Sequence, residues 1–137
     1  MKALLFWGMG TSAMAGFCED LQSFEAQSVP MSLALPESGA LTTCSRSLQL
    51  SGGTQVHCGW AFPYRAEEAR SAFQAVLEAV SQCPGGALLG KEDPDVNHPD
   101  SYDLQTFRLS AFEIGVSLKD KGALGETYVF VRISPLN

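Results

Sequence analysis

The sequence predicts an α+β domain: an antiparallel sheet of about five or six strands, covered by one main amphipathic helix at about residues 66–83 and stapled by two disulfides. Three observations carry this. Apolar side chains alternate with polar or small ones in several short runs, the period of half-buried strands. One run alone repeats its apolar residues every three and four positions. Four cysteines (Cys18, Cys44, Cys58, Cys83) form an even set in a chain of 137 residues,.

The organising stretch runs from Cys44 to Cys83. Val56, Cys58, Trp60 and Phe62 alternate with Gln55, His57, Gly59 and Ala61, giving one large apolar face,. The preceding strand presents Cys44, Arg46, Leu48 and Leu50 on one face. Between the two lies Ser51-Gly52-Gly53-Thr54, which tolerates the positive φ values of a hairpin loop,. Matching the apolar faces requires an odd loop length. A loop of Gly52-Gly53-Thr54 places Leu50 opposite Val56, Leu48 opposite Cys58, and Cys44 near Phe62. In that register Cys44 is too far along the ladder to bridge Cys58.

The helix follows Pro63-Tyr64-Arg65. Ala69, Phe73, Val76, Leu77 and Val80 make its apolar stripe, whereas Gln74, Glu78 and Ser81 fall outside it and face water,. Glu67 and Glu68 occupy the first turn, where the helix dipole favours negative charge,. Pro84-Gly85-Gly86 ends the helix,. Cys83 then lies at the last turn, over the face that carries Cys58. Four cysteines allow three pairings, and the favoured set is Cys58–Cys83 with Cys18–Cys44.

Residues 1–15 read as a secretory signal peptide. Met1-Lys2 is a short basic start, Ala3 to Met9 an apolar run, and Ala13-Met14-Ala15 a small-residue site with cleavage expected before Gly16,. The apolar run is too short to span a bilayer. A single exported domain, residues 16–137, remains and keeps all four cysteines in an oxidising compartment, periplasmic or secreted,. The formal charge of -6 becomes one unit more negative with the loss of Lys2. Such acidity argues against nucleic acid and anionic membranes as partners, and no segment is suited to stable membrane insertion.

Elsewhere, the pattern from Cys18 to Gln27 is ambiguous, with Leu21 and Phe24 three apart as on a short helix, and Met31, Leu33 and Leu35 alternate as in an edge strand,. Gly85 to Ser101 reads as a long irregular connection, with Pro94 and Pro99 breaking regular structure,. Three strands close the chain: Leu104 to Leu109, Phe112 to Leu118, and Thr127 to Ile133, with a polar loop from Lys119 to Gly125,.

The candidate binding residues are Asp93, Asp95, Asn97, His98 and Asp100 in the long connection, together with Tyr64,. Asp93-x-Asp95-x-Asn97 resembles the opening of a calcium loop, yet His98 stands where its glycine belongs and Leu104 replaces its bidentate glutamate,. No Cys-x-x-Cys or His-x-x-x-His spacing points to zinc, so no metal or cofactor is assigned. No catalytic residue is assigned either, since a Gly-x-Ser-x-Gly elbow is absent,. Trp60 and Phe62 are expected in the core beneath the helix, leaving Tyr64 exposed. The expectation is a non-catalytic exported binding domain, inhibitor- or immunity-like, that meets a protein or small-molecule ligand through loops including residues 85–101. The alternative is a small extracytoplasmic hydrolase built on His98 and neighbouring carboxylates.

Overall fold

The computed structural model describes residues 12–24, 31–50, 53–92 and 102–136. In chain order the elements are α1 (Ser12–Ser23), β1 (Met31–Ala34), β2 (Leu41–Leu48), β3 (Thr54–Pro63), α2 (Glu67–Ser81), β4 (Ala87–Glu92), β5 (Tyr102–Leu109), β6 (Phe112–Lys121) and β7 (Glu126–Pro135). A short 3₁₀ turn, Gly122–Leu124, joins the last two strands. The fold is α+β, with one antiparallel sheet and two disulfides. It differs from expectation in detail, having seven strands and two helices among the described residues.

The sheet order is β1-β2-β3-β7-β6-β5-β4, every neighbouring pair antiparallel. The chain lays down β1 to β3 as a meander, crosses the sheet through α2, starts again at the opposite edge with β4, and winds back until β7 pairs with β3. Strands β3 and β4 point the same way, so their connection must span the sheet, and a helix is the usual means.

Side-chain alternation decides which face is covered. Val56, Cys58 and Trp60 of β3 are buried with Val129, Val131 and Ile133 of β7 and Ile114, Val116 and Leu118 of β6. Onto this face α2 places Phe73, Val76 and Val80, with Phe73 only 1% exposed. Each fully buried side chain of this size contributes about 2 kcal/mol from apolar area removed from water. Trp60 is buried as expected and donates its indole N–H to Ala40 O at 3.0 Å, while Phe62 is only partly buried.

Ala75 and Ala79 of α2 are buried too, off the sheet-facing stripe. For Ala79 the second helix explains it: α1 buries Phe17 and Leu21 and brings Cys18 Sγ within 3.7 Å of Ala79 O, while Ala75 lies beside an open groove along α2. A small residue at Ala79 lets the helices approach closely.

The disulfides correct the expected pairing. Cys18 joins Cys83 and Cys44 joins Cys58, in place of Cys18–Cys44 and Cys58–Cys83. The cause is hairpin register. Leu48 pairs with Thr54 and Arg46 with Val56, so the loop has five residues rather than three. Gln49 N–H donates to Gly53 O at 2.7 Å within it. The odd length keeps the expected faces but slides the strands, so that Cys44 stands opposite Cys58 instead of Phe62. With Cys58 taken, Cys83 at the end of α2 meets Cys18 on α1.

Two loop expectations also change. Ala87–Glu92, expected within an irregular connection, is edge strand β4, paired with β5 across a bulge between Leu88 and Gly90. Its Ala-Leu-Leu-Gly-Lys-Glu sequence has weak strand propensity, and it is pairing with β5 that makes it a strand. Lys119 to Lys121, expected in a loop, extends β6 against Tyr128, Thr127 and Glu126.

Candidate functional site

Five of the six expected binding residues, Asp93, Asp95, Asn97, His98 and Asp100, lie outside the described residues. Tyr64 is half-buried at the end of β3. Its N–H donates to Gly125 O at 3.1 Å, and the Arg65 guanidinium carbon lies 5.0 Å from its ring centroid. The turn there is built for support. Arg65 takes a φ of 55°, its N–H donates to Thr127 Oγ1 at 2.7 Å, and its Nε donates to Asp120 Oδ2 at 3.0 Å. Thr127 Oγ1 in turn donates to Asp120 Oδ1 at 2.7 Å. Asp120 and Thr127 face each other on β6 and β7, both buried. This network fixes the entry of α2.

His57, on the sheet face away from α2, is half-buried on β3 opposite Arg132. Burial, and secondarily the Arg132 charge, lower its pKa from the ordinary imidazole value,. Arg132 pairs with Glu113 at 3.3 Å. On the same face Tyr128 and Phe130 stack with ring centroids 5.4 Å apart, and the Tyr128 hydroxyl donates to Glu126. Among the described residues no group of three or more His, Cys, Asp or Glu side chains gathers to hold a metal ion.

An open groove of about 790 Å³ runs along α2. Glu67, Ser71, Gln74, Glu78 and Ser81, spaced three and four apart, form its helical wall,. Leu88 of β4 with Gln105 and Phe107 of β5 forms the sheet side, and Glu37, in the turn between β1 and β2, reaches it with a φ of 72°. Three glutamates thus rim the groove against Arg70, while Leu77, Leu88 and Phe107 supply apolar surface. Leu88 and its bulge neighbour Leu89 are 53% and 50% exposed on the outermost strand. No described strand pairs with the outer edge of β4.

Such a groove has the makings of a docking site: apolar contact surface, ionic rim and a strand edge that no described strand covers, close together,. Sequence reasoning singled out none of these residues for binding. The polar stripe of α2 is plain in the spacing and reads as a water-facing side,. Leu88 and Glu37 carry no local signal, because the fold alone brings them to the helix.

No protein-family model matches the chain, and no curated protein or solved structure matches it either. The two disulfides suggest an oxidising, extracytoplasmic environment,. No described helix is long and apolar enough to cross a membrane.

Proposed function

We propose that the protein is a non-catalytic binding domain, exported to the periplasm or secreted after removal of residues 1–15, that acts by occupying another protein in the manner of an inhibitor or immunity protein. The observation that carries this is the open groove along α2, in a fold where one disulfide ties α1 to the end of α2 and the other ties β2 to β3. Rigid scaffolds of this kind lose little conformational entropy on binding, which favours recognition. The α1 helix begins at Ser12 and runs through the Ala15–Gly16 bond. Processing there leaves Gly16 to Ser23 as its anchored portion, with Glu19 and Asp20 near the new first turn, where the helix dipole favours negative charge.

The experiment is an affinity capture from extracytoplasmic extract, with the mature disulfide-bonded protein as bait and a Gln74→Trp variant, which fills the groove, beside it. A protein retained by the parent and lost with Q74W is the expected result. Recovery of no partner at any salt concentration overturns the reading.

A further inference from the structure

Resting on that reading, and deepening it, we propose that the groove's occupant is a cationic, extended segment of the partner protein, added as an eighth strand beside β4 with alternate side chains turned toward α2. Two independent features converge on this. The first is the edge itself: β4 is outermost, its outer edge meets no described strand, and Leu88 and Leu89 stand half exposed in its first half, at the bulge and ahead of the charged pair Lys91-Glu92 that ends the strand,. A strand laid alongside gains main-chain hydrogen bonds and covers Leu88 and Leu89.

The second feature is charge. Glu37, Glu67 and Glu78 face the groove against Arg70, so its rim is net negative within a chain of formal charge -6. Lysine or arginine side chains from an added strand are long enough to reach glutamates on a helix that walls the same groove, with their aliphatic stems lying over Phe107 and Leu88. An acidic segment meets like charge there and is rejected, which is how a rim of one sign selects partners.

The test uses the mature, disulfide-bonded protein and two synthetic peptides, one alternating lysine with valine and one alternating glutamate with valine. Backbone amide resonances report where each binds. The lysine–valine peptide is expected to bind, to shift the amides of Ala87–Glu92 and of Gln74 and Glu78, and to protect β4 amides from hydrogen exchange. The E67Q/E78Q variant is expected to bind it about tenfold more weakly. Glu68 is exposed and does not line the groove, so E68Q should leave binding unchanged although it also removes a charge. Helicity and melting temperature establish that each variant is folded. Equal binding of both peptides, an equal loss with E68Q, or shifts that spare β4 overturn the proposal. A partner captured through the groove while neither peptide binds removes only the cationic strand and leaves the binding reading standing.

Discussion

Cys44 on β2 and Cys58 on β3 stand directly opposite each other, one step beyond the Ser45–His57 pair, with Cα atoms 4.3 Å apart. Their disulfide locks a hairpin register, while Cys18–Cys83 ties the helical layer together. The two bridges close loops of different length, with separations of 14 and 65 residues.

The longer loop removes more entropy from the unfolded chain. Replacing Cys18 and Cys83 by alanine is therefore expected to cost about 4 kcal/mol, and the Cys44/Cys58 double replacement about 3 kcal/mol. Urea unfolding of the two variants checks the order. Peptide mapping of the native protein should recover Cys18 with Cys83 and Cys44 with Cys58, and no free thiol.

Much of this architecture is legible from side-chain period alone. Val129, Val131 and Ile133 alternate inward as their spacing predicts, and α2 forms around Phe73, Val76 and Val80. The register of the first hairpin was not legible, because Gly-rich loops of three and five residues satisfy the same face-matching rule, and only the five-residue loop brings Cys44 to Cys58,. Strand β4 was hidden for another reason: an edge strand buries little, so its sequence carries no alternation. The groove was legible only as half of itself. The glutamates of α2 are plain in the sequence, but the surfaces opposite them come from β4, β5 and the β1–β2 turn.

Asp120 is a second point of leverage. Its carboxylate, itself buried, accepts from both the buried Thr127 Oγ1 and Nε of the exposed Arg65. Asp120→Ala leaves the threonine and the arginine without that acceptor and should destabilise the fold by about 2 kcal/mol. Thr127→Val, which removes the hydroxyl that accepts from the Arg65 N–H, should cost a similar amount, and the double variant less than the sum of the two,. Thermal unfolding of the three variants measures the coupling.

Two glycines predict sensitivities of different size. A Cβ at Gly86 would lie 2.9 Å from Val80 O and 3.1 Å from Cys83 O, both backbone atoms at the end of α2. A Cβ at Gly59 would lie 2.8 Å from two carbons of the Phe130 ring, a half-exposed side chain that can turn aside. Gly86→Ala is expected to cost about 2–3 kcal/mol and Gly59→Ala about 1 kcal/mol, read from denaturation midpoints.

His57 sets a pH dependence. Its folded-state pKa lies below the unfolded value of about 6.5, so between the two the unfolded chain binds more protons,. Stability from this group is full above the unfolded value and falls as pH drops through the window down to the folded pKa. His57→Gln should abolish that slope, and Arg132→Met should move the imidazole titration, followed by NMR, upward.

The winding of the sheet has a consequence for how the molecule comes into being. Strand β3 gains its central neighbour only from the last ten-residue strand, Glu126–Pro135. A chain delivered amino end first can close its first hairpin and coil α2, yet the apolar side of β3 lacks half its support until the carboxyl end arrives. Closure of the sheet about β3 therefore waits on β7, the last of the described strands to be made.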